Sequence, residues 1–469
     1  MSRLVVVSNR VAVPNQQAAN TGGLAVALRE ALQANGGVWF GWSGKIAQRT
    51  SSQPTLTEVA PVTYATVDLG RKDHSEYYNG FANRTLWPLF HYRLDLAEFP
   101  RQNYEGYLRV NSLFAEQLRP LLGDDDDIWI HDYHMIPLAS ELRRLGVRQR
   151  IGFFLHTPFP ALEVFLALPS HERIARSLCA YDVVGFQTMN DLRAFLDYIV
   201  NESGGEVLED GLVKAYGRTL KAQVFPIGVE AENLARTAAH ALKVPAVRRF
   251  RESQRDRAFL MGVDRLDYSK GIPERFEAFQ RFLERYPAWH RQVVMVQIAP
   301  GSRAEVPEYK QIREELEARA GHLNGAFADY DWTPLRYLNK GVPRETLVGF
   351  FRLSAAALVT PLRDGMNLVA KEYVCAQSPH EPGVLILSRF AGAARELDAA
   401  LLVNPFDPDG VADAIARALN MSMEERVERW EAMIKPLREN SLDAWRDSFL
   451  KALRQAPYAA PSDTPGHAP

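Results

Sequence analysis

Short runs of β-branched and apolar residues alternate along most of this chain with segments of helical periodicity, and this alternation constrains the fold more than any other feature. Strands separated by helices favour parallel sheets covered by those helices. The predicted strands form two series, at residues 4–7, 128–131, 151–156, 183–186 and 223–226, and at 259–263, 293–298, 356–359 and 384–387. The sequence therefore predicts an α/β protein with two Rossmann-like doubly wound domains.

A charged, alanine-rich segment of helical character at residues 231–256 separates the two series of strands. A chain of 469 residues has room for about two to four domains. The polar span 45–70 is expected to be an insertion or an antiparallel excursion. The predicted parts are a first domain at 1–237, a second at 238–440, a C-terminal helix at 441–456 returning to the first domain, and a disordered Pro- and Ala-rich tail at 457–469.

Composition excludes several classes of function. A formal net charge of −2 argues against a protein that coats nucleic acid or an acidic membrane. Two cysteines cannot build a disulfide framework or a four-cysteine zinc site, and they fit a reducing compartment. No apolar run approaches the length of about 20 residues that spans a membrane, and the N-terminal run is too short for a signal peptide. We expect a soluble cytoplasmic protein without nucleic acid or membrane partners.

The predicted strand ends carry most of the residues that could do chemistry. Doubly wound domains bind ligands at the carboxyl ends of their strands, so we expect the site in the cleft between the domains. The ends read SNR, HDYH and HTPFP in the first series, and VDRLDYSKG, QIAPGSR and TPLRDGMNLVAKE in the second. These ends are crowded with Arg, Lys, His, Asp and Gly, and the near-neutral net charge does not exclude a local basic pocket for a small anion.

The pair Gly22 and Gly23 lies between the first strand and a predicted helix in which leucines recur at 24, 28 and 32. Backbone N–H groups at such a point can face an anion, favoured by the helix dipole. A plain turn explains the pair equally well, because neither the dinucleotide fingerprint nor the Walker pattern is present.

Two cations, Arg265 and Lys270, lie between a buried strand and a helix that begins near Pro273. Two positive charges at a strand-to-helix crossing suit a diphosphate. The alternative is that both pair with nearby acids, Asp267 and Glu274.

The segment TPLRDGMNLVAKE predicts a strand, a turn and a helix that begins near Asn367. Its turn and first helical N–H groups could hold a phosphate or a sugar hydroxyl, and Glu372 could accept two hydrogen bonds from a ribose diol. A capping turn with Lys371 and Glu372 solvated is the alternative.

Other conspicuous residues are interpreted as structural. The acidic run 124–127 precedes a strand and is expected to be a solvated loop. His131 and His134 have no third ligand close in sequence, so we do not expect a metal site there. Cys179 and Cys375 have no CxxC partner and are expected to be small core residues.

From residue 1 to about 455 the chain resembles the trehalose-6-phosphate synthases, which are retaining glycosyltransferases with the two-domain glycosyltransferase-B architecture. Many separate segments agree in order, which makes the resemblance specific. They are VVVSNR, GGLAVAL, WFGWSG, EYYNGFANRTLWPLFHYR, YLRVN, IWIHDYH, HTPFP, GFQT, VFPIGV, RLDYSKG, IAPGSR, LVTPLRDGMNLVAKEY and FAGAARE.

The resemblance implies an acceptor site for glucose 6-phosphate. Its phosphate would be held by Arg10, Tyr78 and Arg303. The aromatics Trp42 and Trp87 would wall the pocket, and Asp132 would bind sugar hydroxyls.

The resemblance also implies a donor site for UDP-glucose. Gly22 and Gly23 would lie on a loop that closes over the donor, and Arg265 and Lys270 would bind its diphosphate. The donor glucose would be held by the loop Asp364, Gly365, Met366 and Asn367, with His156 nearby. The diphosphate and ribose would contact the start of the following helix, at Leu368, Val369, Ala370, Lys371 and Glu372.

Two positions depart from the family pattern. Thr157 stands in HTPFP where a branched aliphatic residue is expected beside the acceptor, so Thr157 and Trp87 are the predicted determinants of anomer selectivity. Val342 stands in YLNKGVPRE where relatives can carry an aromatic residue near the uracil.

The implied reaction moves glucose from UDP-glucose to glucose 6-phosphate by a front-face mechanism that needs neither a metal nor another cofactor. Arg265, Lys270, Asp132 and His156 are the predicted catalytic residues. The alternatives are another phosphorylated acceptor, such as glycerol 3-phosphate or a cyclitol phosphate, and a non-catalytic sugar-phosphate sensor. A homo-oligomer, either a dimer or a tetramer, is also expected.

Overall fold

The computed structural model describes residues 2–14, 28–29, 31–33, 36–254, 257–302 and 306–457. Gly22, Gly23 and Arg303 lie outside the described residues, as do the predicted tail from 458 and most of the helix expected after the glycine pair.

The described residues form two compact units. The first unit comprises the residues up to Phe225 and those from Arg446 onward, and the second runs from Pro226 to Trp445. The chain therefore enters the second unit before residue 237, which lies inside the helix Ala231–Ala241.

The first unit is built on a ten-stranded sheet with the order β3-β4-β2-β1-β5-β6-β7-β10-β9-β8. The strands from β4 to β10 in that order run parallel, whereas β3, β9 and β8 are antiparallel to their neighbours. The strands are β1 Leu4–Arg10, β2 Gly37–Ala47, β3 Thr55–Val59, β4 Val62–Gly70, β5 Asp127–His131, β6 Arg150–Phe154, β7 Val183–Phe186, β8 Glu206–Val207, β9 Leu212–Ala215 and β10 Arg218–Val224.

The burial of a strand determines whether it can be recognised as an apolar run in the sequence. Strands β5 and β7 are buried throughout and read as continuous apolar runs, as expected for parallel strands covered on both faces. The half-exposed residues of β3 give no such run. The expected excursion at 45–70 accordingly contains one antiparallel edge strand, but it also contains β4, which extends the parallel sheet.

The helices of the first unit connect and cover these strands. A helical segment, α1, comprises Arg71–Asp73, the π-helical stretch His74–Leu86 and Trp87–Phe90. The others are α2 Arg101–Leu118, α3 Leu138–Arg144, α4 Leu162–Leu166, α5 His171–Leu178 and α6 Met189–Asn201.

The second unit has a six-stranded, entirely parallel sheet with the order β13-β12-β11-β14-β15-β16. Its strands are β11 Ala258–Val263, β12 Val293–Ile298, β13 Leu335–Leu338, β14 Ala356–Val359, β15 Val384–Ser388 and β16 Leu401–Val403. Its helices are α7 Ala231–Ala241, α8 Pro245–Gln254, α9 Ile272–Arg285, α10 Pro307–Phe327, α11 Arg344–Leu353, α12 Leu368–Ala376, α13 Pro408–Asn420 and α14 Met423–Glu439.

The α/β class with doubly wound sheets is confirmed. In β13-β12-β11-β14-β15-β16 the strand order reverses between β11 and β14, which is the order of dinucleotide-binding domains. The parallel part of the first sheet reverses in the same way between β1 and β5. No described helix is long and apolar enough to cross a membrane.

The last helix, α15 Leu442–Gln455, contributes its residues from Arg446 onward to the first unit. Phe449 is fully buried there and stacks on Trp129 with ring centroids 4.8 Å apart. Arg454 pairs with Asp127 at 2.8 Å, and Arg3 pairs with Asp126 at 2.7 Å. The expectation of a solvated loop at 124–127 is therefore wrong for Asp126 and Asp127, which are buried and neutralised by arginines.

Replacement of Phe449 by alanine should destabilise the first unit by about 3–5 kcal/mol, because the ring leaves a cavity that the sheet cannot fill. Phe406→Ala is the matched control, since Phe406 is 62% exposed and should cost no more than about 0.5 kcal/mol. Guanidinium unfolding of both variants measures the difference. Equal losses would mean that α15 contributes little to the core.

Candidate active site

The two reversal points of strand order locate the candidate site residues. In the first unit, β1 ends at Arg10 and β5 is followed directly by Asp132. In the second unit, β11 is followed by the segment 264–271 and β14 by the segment 360–367. Crevices at such reversal points are where doubly wound sheets bind ligands.

Aromatic rings and imidazoles form a continuous series of ring contacts beside Arg10. The Arg10 guanidinium carbon lies 5.9 Å from the centroid of the Trp42 ring. Trp42 and Tyr78 lie 5.2 Å apart, and Tyr78 is flanked by His74 at 5.3 Å and by His134 at 5.8 Å. The structure thus brings three predicted acceptor residues together and adds two histidines that stack on the Tyr78 ring.

The series continues to Trp87 through Tyr133. The Tyr133 ring lies 4.0 Å from that of His134 and 5.7 Å from that of Trp87. His74 was not among the predicted site residues, and His134 was considered only as a metal ligand. His74 lies four residues before Tyr78, and that spacing was the available signal for a residue on the same side of a helical segment.

Asp132 has a strained backbone. Its φ of 75° is in the left-handed region, where a non-glycine residue costs about 1–3 kcal/mol. Two hydrogen bonds hold the conformation: its N–H donates to the Phe154 carbonyl at 2.8 Å, and its carboxylate accepts from the His156 N–H at 3.2 Å. Such strain at a strand end is typical of functional positions, and it fixes the Asp132 carboxylate beside His156.

The His131 and His156 side chains face each other, with Nδ1 of His131 3.1 Å from Nε2 of His156. Burial lowers the pKa of His156 to about 3, and burial together with the neighbouring His156 lowers the pKa of His131 well below its usual value. Both imidazoles are therefore neutral at pH 7. His156 is suited to hydrogen bonding rather than to proton transfer.

Thr157 is buried, with 6% exposure, and its Oγ1 has no hydrogen-bond partner among the described residues. A buried hydroxyl without a partner is costly unless a ligand supplies one. This observation agrees with the prediction that Thr157 lies by the acceptor, without testing it.

A fully buried arginine organises the strand ends of the second unit. Arg275 donates to Asp264 at 2.7 Å, to Gln297 at 2.8 Å and to Thr360 at 3.0 Å. These partners follow or end β11, β12 and β14. Arg275 lies four residues before Phe279 on the apolar face of α9, and that position was the signal that it is a core residue.

The Lys270 side chain reaches the loop that follows β14. Its Nζ lies 2.5 Å from Oδ2 of Asp364, and the same oxygen accepts from Nδ2 of Asn367 at 3.0 Å. Gly271 makes the close approach of the two loops possible, because its φ is +63° and a Cβ atom would lie 2.3 Å from the Thr360 carbonyl oxygen. The structure therefore joins three predicted donor residues in one cluster.

The alternative expected Lys270 to pair with Asp267 or Glu274, whereas its ion-pair partner is Asp364. Asp267 is fully buried and accepts from the backbone N–H of Ser269 at 3.0 Å and from the Tyr309 hydroxyl at 3.0 Å. It thus shapes the turn that carries Lys270. Arg265 is exposed at the end of β11.

The start of α12 is capped by a side chain and is only partly covered. Asn367 caps the helix, with a φ of 77° and its side-chain oxygen accepting from the Ala370 N–H at 3.2 Å. Leu368 and Val369 form the half-exposed first turn. The buried Gly365 and Met366 precede the cap, and the Met366 carbonyl accepts from Ala393 at 2.8 Å.

Lys371 and Glu372 are not the solvated pair that one alternative expected. The Lys371 side chain is fully buried and bound within the second unit, whereas the Glu372 side chain is 17% exposed and lies 3.2 Å from Arg344. Burial raises the pKa of Glu372 and the Arg344 charge lowers it. Glu372 remains a candidate for ribose, while Lys371 is bonded to other residues of the protein.

Other predicted features can be placed as well. Val342 is half-buried in the loop before α11. Both cysteines are free and buried, which confirms the expectation that they are core residues. Among the residues that the structure describes, no three His, Cys, Asp or Glu side chains are grouped as a metal site requires.

Two doubly wound units with polar residues at both reversal points define a protein of the glycosyltransferase-B class. Residues 2–455 match glycosyltransferase family 20, and the chain belongs to that family. The family resemblance inferred from the motifs is thereby confirmed.

Named relatives cover almost the whole chain. A trehalose-6-phosphate synthase from Cronobacter sakazakii is 51% identical over 461 residues, which are 98% of this chain and 97% of the relative. The crystal structure of a UDP-forming α,α-trehalose-phosphate synthase from Burkholderia xenovorans, in complex with glucose-6-phosphate, is 51% identical, with a TM-score of 0.94 and coverage of 97% and 100%. A structure from E. coli bound with UDP-2-fluoro glucose is 49% identical, with a TM-score of 0.93 and coverage of 97% and 99%.

Thr157→Val should leave stability unchanged or raise it by about 1 kcal/mol, since it removes an unpaired buried hydroxyl without changing shape. Thr85→Val is the matched control, because the fully buried Thr85 hydroxyl donates to the Glu98 carbonyl. That variant should lose about 1–3 kcal/mol. Thermal unfolding compares the two, and a clear loss in Thr157→Val would show that the hydroxyl has a partner.

The neutral state of His156 predicts a pH-dependent stability. Its pKa is lowered to about 3 in the folded protein against about 6.5 in an unfolded chain, so protons favour unfolding. The stabilising effect is complete above about pH 6.5 and is lost as the pH falls towards 3. Between pH 7.5 and 5.5, His156 alone should lower the free energy of unfolding by about 1.4 kcal/mol.

Chemical denaturation at the two pH values tests this prediction. His156→Gln should lose that part of the pH dependence, and His380→Gln, which replaces an exposed histidine, should retain it. Identical pH dependence in both variants would contradict a neutral, buried His156.

Proposed function

We propose that this protein is a retaining glucosyltransferase that moves glucose from UDP-glucose to glucose 6-phosphate and forms α,α-trehalose 6-phosphate and UDP. The observation that carries the proposal is the cluster of Lys270, Asp364 and Asn367 at the reversal point of a sheet with dinucleotide-binding order. The names of the relatives, at about half identity over nearly the full chain, support it.

The second unit is assigned to the donor. Arg265 and Lys270 would neutralise the diphosphate, and the capped start of α12 at Leu368 and Val369 would add backbone N–H groups and a favourable dipole. Asp364, Gly365, Met366 and Asn367 would hold the glucose, and Glu372 the ribose.

The first unit is assigned to the acceptor. The Arg10 guanidinium and the Tyr78 hydroxyl are suited to a phosphate, as is Arg303 outside the described residues. Trp42 and Trp87 would cover the sugar ring, and the fixed Asp132 carboxylate would accept from its hydroxyls.

The proposed chemistry uses no nucleophile from the protein. The bond from the anomeric carbon to the diphosphate oxygen breaks, and the acceptor hydroxyl oxygen bonds to that carbon on the same face. The acceptor proton passes to the departing phosphate. A neutral His156, with a pKa of about 3, is a poor base at pH 7, which favours this route. Fixed cations stabilise the charge that grows on the leaving group.

Two side-chain cations suffice for that task, so the proposal requires neither a metal nor another cofactor. The two buried, unpaired cysteines suit a reducing compartment, and we place the enzyme in the cytoplasm. The expected dimer or tetramer remains a prediction.

UDP release should occur only when UDP-glucose and glucose 6-phosphate are both present, and it should persist in EDTA without added divalent ions. Product NMR should identify the α,α linkage. GDP- and ADP-glucose, together with other phosphorylated acceptors, test selectivity. UDP release without an acceptor, or with glycerol 3-phosphate alone, would overturn the proposed reaction.

Arg265→Ala should lower kcat by about 10²–10³, since it removes a charge that stabilises the transition state. Arg281→Ala is the control, because Arg281 is an exposed arginine of the same unit that pairs with Glu284. An unchanged rate in a folded Arg265→Ala protein would refute the assigned donor site.

A further inference from the structure

Lys371 is a buried cation whose partners belong to the protein. Its side chain has 0% exposure, and Nζ donates to the Ile227 carbonyl at 2.6 Å and to Oε1 of Glu396 at 2.7 Å. Burial lowers the pKa of Lys371, and the Glu396 carboxylate opposes that shift. A fully desolvated ammonium is expensive unless its hydrogen bonds are satisfied, so both contacts are strongly constrained.

The other oxygen of Glu396 continues the network. Oε2 accepts from Nδ2 of Asn440 at 3.0 Å, and the same amide donates to the Pro226 carbonyl at 3.0 Å. Lys371, Glu396 and Asn440 therefore connect the first turns of α12 to two segments that are distant in sequence.

These two segments lie at or just before the places where the chain passes between the units. We name residues 226–230 the first crossing segment and residues 440–442 the second, because unit two begins at Pro226 and ends at Trp445. Gly228 permits their contact, since a Cβ atom there would lie 2.0 Å from the Asn440 carbonyl oxygen. Glu230 also accepts from the Leu442 N–H at 3.1 Å.

We propose that Lys371 is a positioning residue which ties the proposed nucleotide-binding turn of α12 to both crossing segments through Glu396 and Asn440. The inference rests on the proposed donor site. It assigns Lys371 a role that needs no contact with the substrate, and it adds Glu396 and Asn440 as functional residues. Nucleotide binding at α12 should then reduce backbone motion at residues 226–230 and 440–442.

The test uses the full-length protein with UDP as the probe. Lys371→Met should weaken UDP binding about three- to thirty-fold and raise the KM for UDP-glucose by a similar factor, with little change in the KM for glucose 6-phosphate. In the unaltered protein, UDP should slow hydrogen exchange at 226–230 and 440–442. In Lys371→Met that protection should disappear.

Arg352→Met is the matched control, because Arg352 lies on α11 and contacts the opposite, C-terminal end of α12. Arg352 donates to the carbonyls of Ala376 at 3.1 Å and Gln377 at 2.7 Å, so its loss weakens α12 without touching the network. UDP affinity and the exchange response should stay as in the unaltered protein. Equal effects of both variants on UDP affinity would overturn the proposal, since the role would then be general stability.

A second variant keeps the test decisive if Lys371→Met does not fold. Lys371→Met combined with Glu396→Gln removes the unpaired carboxylate and should restore folding while leaving UDP protection at 226–230 absent. Retention of that protection would contradict the inference. Failure of the proposed function is distinguishable, because the unaltered protein would then neither bind UDP nor turn over UDP-glucose.

Discussion

The buried guanidinium of Arg275 is the interaction on which the candidate donor site depends. One rigid planar donor group bonds to Asp264, Gln297 and Thr360, and so holds the carboxyl ends of three neighbouring strands at fixed separations. It also donates to the Lys270 carbonyl at 3.3 Å. The loop that carries Lys270 is therefore positioned by a charge that no ligand has to contact, and the loop at 360–367 is positioned by the same group.

The first unit achieves a comparable rigidity by different means. Its candidate residues are fixed by rings in contact, from Trp42 through Tyr78 and His134 to Trp87, and by the strained backbone of Asp132. Rings have few rotatable bonds, so holding them costs little conformational entropy. Such a wall suits a sugar, whose apolar faces stack on rings and whose hydroxyls need few, well-placed acceptors.

The sequence predicts those parts of the fold and the candidate site that produce a recognisable local pattern of residues. Buried parallel strands are continuous apolar runs, so β5, β7, β12 and β14 were visible, and their polar ends pointed to Arg265, Lys270 and Asp364. The half-exposed edge strand β3 has no such run. Arg275 resembles a surface residue until the face of its helix is considered. The stacking of two histidines on Tyr78 depends on the turn after β5 packing against the π-helical segment, which no local pattern encodes.

Two lysine–carboxylate pairs of the second unit differ in how far the lysine is buried, and this difference separates a lysine that a ligand could contact from one that only supports the structure. The Lys270 and Asp364 side chains retain 11% and 14% exposure, whereas Lys371 has none. Asp364 also accepts from Asn367, so its carboxylate has a second partner beside Lys270. No anion can reach Lys371 without breaking its bonds to Ile227 and Glu396. Lys270 is therefore the more accessible of the two lysines, and the fully buried Lys371 is bonded only to groups of the protein.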